Sequence, residues 1–126
     1  MKIHQKQIVV STDDLDQNNH VNNVRYVKWV NDIALSHWEK EAPKPIKNQH
    51  FWVMLSHNIE YKHQILLGET VTLKTYVQSC EGLFSVRIVE ILVDDKLCAY
   101  SKTKWCFMNS DTLKPNRIPQ EIIDLF

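Results

Sequence analysis

Asp14-Leu15-Asp16-Gln17-Asn18-Asn19-His20-Val21-Asn22-Asn23 runs directly into Val24-Arg25-Tyr26-Val27-Lys28-Trp29. The first segment packs two carboxylates, an imidazole and a run of carboxamides together. From Asn23 to Glu41 the pattern turns helical: Val27, Val30, Ala34 and Trp38 recur at helical spacing, with Tyr26 and Ile33 beside them. Asn22 is the N-cap candidate, because its side-chain oxygen can accept from a first-turn N–H. Pro43 and Pro45 are expected to stop the helix. Ionisable side chains therefore stand at a helix N-terminus, where unpaired N–H groups and the positive dipole end stabilise developing negative charge. That combination suits a hydrolytic or hydration centre.

At 126 residues the chain is long enough for one modest core, and a single domain spanning 1–126 is expected. Its net charge of zero argues against a nucleic-acid footprint or a polybasic membrane anchor. No apolar run is long enough to span a bilayer. Met1-Lys2-Ile3-His4-Gln5-Lys6 lacks the apolar core of a signal peptide. Cys80, Cys98 and Cys106 are odd in number and have no CxxC spacing, which fits a reduced, cytoplasmic protein. With only two glycines there is no phosphate-cradling loop and no dinucleotide fingerprint, and no cofactor is expected.

Upstream of the loop, residues 5–11 read as a first strand. Downstream, a polar linker leads into a long β-rich stretch, 51–65, in which Ile59, Tyr61, His63 and Ile65 share a face. Turns at Leu67-Gly68-Glu69, Glu81-Gly82 and Asp94-Asp95-Lys96 divide the remainder into strands 70–80, 83–93 and 97–108. A short terminal helix, Gln120 to Phe126, follows Pro119. The expected class is α+β: one strand, one long helix, then four consecutive antiparallel strands wrapped round that helix.

Most of these polar residues also have a purely structural reading. Asp and Asn favour Asx-turns and caps, and that reading leads for Asp14 and Asn22. His57, His63, His20, His37 and His50 lack metal-ligand spacing, so no metal site is expected. Cys98 and Cys106 share a strand and parity and read as core. The tryptophans read mainly as packing. Arg25, Lys28 and Lys62 read as solvated.

The pattern Asp14-Leu15-Asp16-x-Asn18-x-His20-Val21-Asn22-Asn23-x-x-Tyr26-x-x-Trp29 resembles the signature loop of hot-dog-fold acyl thioesterases, above all the acyl-acyl-carrier-protein thioesterases and more distantly the 4-hydroxybenzoyl-CoA thioesterases. Ile59-Glu60-Tyr61-Lys62, the Gly68-Glu69 turn, the strand from Ala99 to Met108 and Arg117-Ile118-Pro119 extend the resemblance over most of the chain. It implies a hot-dog domain pairing through a sheet edge, as a homodimer or a dimer of dimers, and hydrolysis of an acyl-CoA or acyl-carrier-protein thioester in fatty-acyl metabolism. The plant enzymes carry two such units in tandem; this chain holds one, so two chains must supply what one supplies there.

The resemblance implies roles residue by residue. Asp16 matches the catalytic carboxylate, as general base on water or as nucleophile. Asn18 matches an orienting position. His20 matches an accessory position, as hydrogen-bond partner or proton donor to the thiolate. The backbone N–H of Asn23 is the oxyanion donor candidate. Tyr26 and Trp52 are expected to bind substrate, with Trp52 or Phe51 lining an acyl channel. Where the plant enzymes have a glutamate followed by a cysteine, this chain has Gln64 and Ile65. Gln64 can hold a water or polarise a carbonyl but cannot act as a base, which concentrates the carboxylate role on Asp16. Two rivals share the scaffold: a hydratase or dehydratase on enoyl or hydroxyacyl thioesters, and a non-catalytic acyl-binding module. The hydratases have an Asn-Pro step and one more residue before the histidine; here Asn19 follows Asn18.

Overall fold

The helix expected from the Tyr26-to-Trp38 periodicity is the element round which everything else is built. In the computed structural model, which describes residues 2–126, α1 spans Asn23–Glu41. Its buried face is Tyr26, Trp29, Val30, Ile33, Ala34, His37 and Trp38, an i, i+3, i+4 stripe running its whole length. Val27, expected on that stripe, is exposed because it sits off the face that Trp29 and Ile33 set. The Asn22 side chain accepts from Val24 N–H at 2.9 Å, as a cap should. Helix α1 ends before Pro43, whose ring is incompatible with a continuing helix.

Around α1 lies one antiparallel sheet of β1 (His4–Val9), β2 (His50–Tyr61), β3 (Thr70–Glu81), β4 (Phe84–Val93) and β5 (Lys96–Asn109). Their order across the sheet is β1-β3-β4-β5-β2. This differs from the expected run of four sequential neighbours. Strands β3, β4 and β5 do meander, but β2 pairs with β5 at the far edge, Trp52 opposite Phe107 and Tyr61 opposite Ala99. Register shifts at Met54/Ser56 and at Val77/Ser79 mark bulges, which bend and twist strands and let the sheet curl over the helix. The β4–β5 hairpin turns on Asp94 and Asp95, both at positive φ, the geometry that matches strand twist in a two-residue loop.

Two further differences are local. The linker after α1 is itself a helix, α2 (Lys44–Gln49), with Pro45 in its first turn, where a missing N–H costs nothing. The first long strand stops at Tyr61, because Lys62 and His63 both give their N–H to Cys98 O and turn the chain away. His63, Gln64 and Ile65 therefore lie in a connection, not on the strand face read from alternation. Gly68, at φ +83°, closes that connection against Val10 in a conformation other residues resist. The terminal helix α3 (Gln120–Leu125) places Ile122 in the core. All three cysteines are unbonded, and among the described residues no helix is long and apolar enough to cross a membrane.

The space between helix and sheet holds two apolar clusters. One gathers Tyr26, Trp29, Val30 and Ile33 with Ile65, Val71, Val89 and Ala99; the other gathers Trp38 and Ala42 with Phe107, Ile118 and Ile122. Polar side chains occupy the helix-facing positions near the junction. Thr75, Arg87, Ser101 and Thr103 are all buried; Arg87 donates to Thr75 Oγ1, Thr103 Oγ1 donates to Arg87 O, and His57 meets Ser101 Oγ at 2.8 Å. His37 comes down from α1 to meet them, accepting from Arg87 Nη1 at 2.9 Å through Nδ1. Burial first, and Arg87 second, push its pKa down to about 4.

Removing volume from the larger cluster should show its weight. Ile33→Ala is expected to lower unfolding stability by about 2–5 kcal/mol, whereas Val24→Ala, on the exposed helix face, should stay within about 0.5 kcal/mol in urea titration. A second expectation concerns acid. Unfolded His37 binds a proton near pH 6.5 that the folded protein refuses until about pH 4. Stability therefore rises with pH across that window and is lost on acidification through it. The denaturation midpoints at the two ends of the window should differ, and His37→Gln should narrow the difference.

Candidate active site

The Asp16 loop is closed at its base. Leu15 and Val21 pair as an isolated antiparallel bridge, and Asp16 N–H donates to His20 O at 2.7 Å. Val21 is buried in the larger cluster and gives its N–H to Ile65 O, which ties this loop to the connection after β2. Asn19 takes φ +62°, a conformation asparagine tolerates. Asp14 is the anchor beneath. Its Oδ2 accepts Ser11 N–H at 2.8 Å, and its Oδ1 lies 2.9 Å from Arg25 Nε. Arg25, expected to be solvated, is thus a clamp that also donates from Nη2 to Asp13 O.

Asp16 is held by backbone. Its Oδ1 accepts N–H groups from Asn18 at 2.8 Å and His20 at 3.1 Å. Among the described residues its Oδ2 has no protein donor. The carboxylate is therefore fixed in orientation with one oxygen free to react. At the start of α1, Val24 N–H is taken by the Asn22 side chain and Arg25 N–H by Asn22 O. The Asn23 N–H has no such acceptor, so it is the first-turn donor left for a ligand.

Asp16, His20, Asn23, Tyr26 and Gln64 line one open cavity of about 300 Å³. Gln64 reaches it from the connection after β2. Tyr26 forms its inner wall, edge-on to Tyr61 at 5.0 Å between ring centroids and to Trp29 at 5.6 Å. Burial pushes the Tyr26 phenol up to about 12 and raises that of Tyr61, so both remain neutral hydroxyls at ordinary pH.

Two expected members stand apart. Asn18 serves through its backbone N–H, while its side chain is exposed and does not line the cavity. Trp52 is at the other end of β2, packed on Trp38 and Phe107, and lines a second cavity of about 380 Å³. In its place the first cavity gains Tyr61, Lys62 and His63. The Ile59-to-Lys62 match pointed at this segment, but alternation carried past Tyr61 hid its departure from the sheet. Among the described residues, no three His, Cys, Asp or Glu side chains converge as a metal site.

A family model described as thioesterase-like superfamily matches residues 10–126. No curated protein sequence matches significantly. Among solved structures, the chain is similar to a predicted thioesterase from Bacillus stearothermophilus, 20% identical over 98% of this chain and 94% of that one, with a TM-score of 0.86. It is similar to a DHNA-CoA thioesterase from Staphylococcus aureus, 23% identical over 98% of this chain and 86% of that one, with a TM-score of 0.83. It is also similar to a Staphylococcus aureus hypothetical protein in complex with CoA, 16% identical over 94% of this chain and 78% of that one, with a TM-score of 0.84. At these identities the structural likenesses show the fold, a hot dog in which an antiparallel sheet wraps one long helix.

The cap that sets the helix start also sets where Asn23 points. Asn22→Ala should cost about 1 kcal/mol of stability in chemical denaturation. Gln17→Ala, on the exposed loop tip, should be neutral within about 0.5 kcal/mol.

Proposed function

We propose, on the premise that the chain belongs to the thioesterase-like superfamily, that it hydrolyses an acyl-CoA thioester to the free acid and the thiol, with Asp16 as the reacting carboxylate. The observation that carries this reading is the pairing of a backbone-pinned Asp16 with the free Asn23 N–H in one cavity. Family membership supports thioester hydrolysis as the reaction class. The choice of CoA over a carrier protein draws on two structural neighbours, one a DHNA-CoA thioesterase and one in complex with CoA.

In this reading the thioester carbonyl oxygen lies against Asn23 N–H, where the tetrahedral intermediate's negative charge meets the helix N-terminus. Asp16 Oδ2 takes a proton from water as the water oxygen bonds to the carbonyl carbon. Alternatively, Oδ2 attacks that carbon itself and the resulting anhydride is hydrolysed. In either route the tetrahedral intermediate collapses with cleavage of the C–S bond, before any anhydride is hydrolysed, and the thiolate leaves, protonated by His20. Gln64 orients the water or the carbonyl, and Tyr26 closes the inner wall.

The same reading gives the chain a partner in a second copy. Strand β2 is a twelve-residue edge with exposed Phe51, Val53 and Leu55, and no described segment pairs with its outer side. Such an edge is a liability that self-pairing removes. The opposite edge, β1, has only six residues. Antiparallel pairing of β2 with its symmetry mate gives a homodimer.

Asp16→Asn should lower kcat/KM for thiol release by about 10²- to 10⁴-fold while leaving the fold and oligomer unchanged; a folded variant with full activity removes Asp16 from the mechanism. Single-turnover hydrolysis in ¹⁸O-water separates the routes, since label enters Asp16 only if it is the nucleophile. Water addition to an enoyl-CoA without thiol release would identify a hydratase instead. Leu55→Lys should shift the dimer towards monomer in light scattering.

A further inference from the structure

Only 7% of the Arg87 surface reaches solvent, yet among the described residues it has no carboxylate partner. The ion pairs of the described residues use Lys2, Arg25, Lys28, Lys47 and Lys62. Both side-chain hydrogen bonds of Arg87 leave from Nη1, to His37 Nδ1 at 2.9 Å and Thr75 Oγ1 at 3.0 Å. Both acceptors are neutral. A guanidinium carries five N–H donors, and those on Nε and Nη2 have no protein acceptor among the described residues. Burial lowers its pKa to about 10, which still leaves it cationic at neutral pH. Its Cζ stands 5.9 Å from the centre of the Phe126 ring, but no counterion neutralises it, and a buried charge without one is expensive.

Arg87 also lines the second cavity, the one of about 380 Å³. Five aromatic side chains, Trp38, Phe51, Trp52, Trp105 and Phe126, line it together with aliphatic and polar residues. The one side-chain carboxylate on the lining, Glu39, lies with Lys47 Nζ at 3.3 Å and not with Arg87. The cavity thus offers an aromatic and aliphatic body, a Lys47–Glu39 ion pair and one cation, Arg87, without a carboxylate partner among the described residues. We propose that it binds an organic anion, its carbon skeleton among the tryptophans and its carboxylate against Arg87, and that it is the acyl pocket of the thioester substrate.

The link to hydrolysis rests on the thioesterase reading above and on geometry. The two cavities lie at opposite ends of β2: His50, Phe51 and Trp52 at its start line one, and Tyr61 at its end lines the other. Antiparallel pairing of two β2 strands sets the start of one beside the end of the other. Each aromatic cavity then adjoins the partner copy's carboxylate loop. Arg87 stands on β4, two strands in from the β2 edge, roughly 10 Å away at the usual strand spacing. An acyl chain entering from the partner's site therefore meets it with its inner end. The substrate class is a thioester whose acyl group carries a second acidic group.

The test compares glutaryl-CoA and adipyl-CoA with pentanoyl-CoA and hexanoyl-CoA, following thiol release by wild type, Arg87→Met and Arg87→Lys. Tryptophan fluorescence during titration with adipate reports binding independently of turnover. Wild type should favour the carboxylated substrates by on the order of 10²-fold or more in kcat/KM, and Arg87→Met should abolish the preference while still cleaving the neutral ones. Arg87→Lys should keep part of it. Should Arg87→Met fail to fold, the wild-type preference and the adipate titration decide alone. Equal cleavage of both series with no adipate response overturns the anion pocket and leaves the thioesterase standing. Arg87-dependent adipate binding without release of thiol from any thioester keeps the pocket and overturns the hydrolase.

Discussion

One helix with a single unbroken buried face has to be covered by one sheet. Helix α1 has 19 residues, which at about 1.5 Å per residue makes it roughly 28 Å long. A flat sheet could not meet Tyr26 at one end and Trp38 at the other while also closing its sides. The bulges in β2 and β3 supply the curvature, and the crossing of β2 to the far edge supplies the width. That crossing obliges the chain to run from Lys62 to Glu69 across the N-terminal end of the helix. Gln64 and Ile65 meet the Asp16 loop because the sheet had to be completed in that order.

Reactive groups are held here mainly by main chain. Asp16 is oriented by the N–H groups of Asn18 and His20, and the oxyanion candidate is itself a backbone N–H. The side chains that look catalytic in the sequence divide accordingly. Asp14 and Arg25 form the buried clamp, Asn22 caps, and Asp16 keeps a free oxygen. A five-residue loop carried on a core-anchored bridge is short enough to stay in place and exposed enough to receive substrate.

Local features were readable from the residues. The bounds of α1, its Asn22 cap and the loop that precedes it follow from helical periodicity and capping chemistry, which act over a few residues. Placement of β2 was not readable, since its pairing with β5 joins residues far apart in the chain, from Tyr61 with Ala99 to His50 with Asn109, and leaves no local trace. The alternation through Tyr61, His63 and Ile65 continues past the point where Cys98 O captures two N–H groups, so the strand seemed longer than it is. Helix α2 hid behind Pro43 and Pro45, which read as breakers although one of them sits comfortably in a first turn. Arg87 did leave a sign: it shares parity with Val89, Ile91 and Val93, the inward face of β4. A cation at such a position is a core residue in need of a partner. The carboxylate cavity could be anticipated from Asp16, whereas the place of Trp52 could not, because it depends on which end of β2 lies under which end of the helix.

The polar belt of His57, Ser101, Thr103, Arg87 and Thr75 separates the two apolar clusters, and it divides more than the core. The cluster under Tyr26 and Trp29 supports the loop that carries Asp16; the cluster under Trp38 and Phe107 shapes the aromatic cavity. Hydrophobic contacts act at short range and the belt interrupts them, so a change of side-chain volume in one half is absorbed chiefly within that half. Substitutions round Trp52 or Phe126 can reshape a binding surface without loosening the footing of the carboxylate. A domain this small thereby has two regions that lineages can vary separately, one the footing of a carboxylate loop and the other the walls of an aromatic cavity.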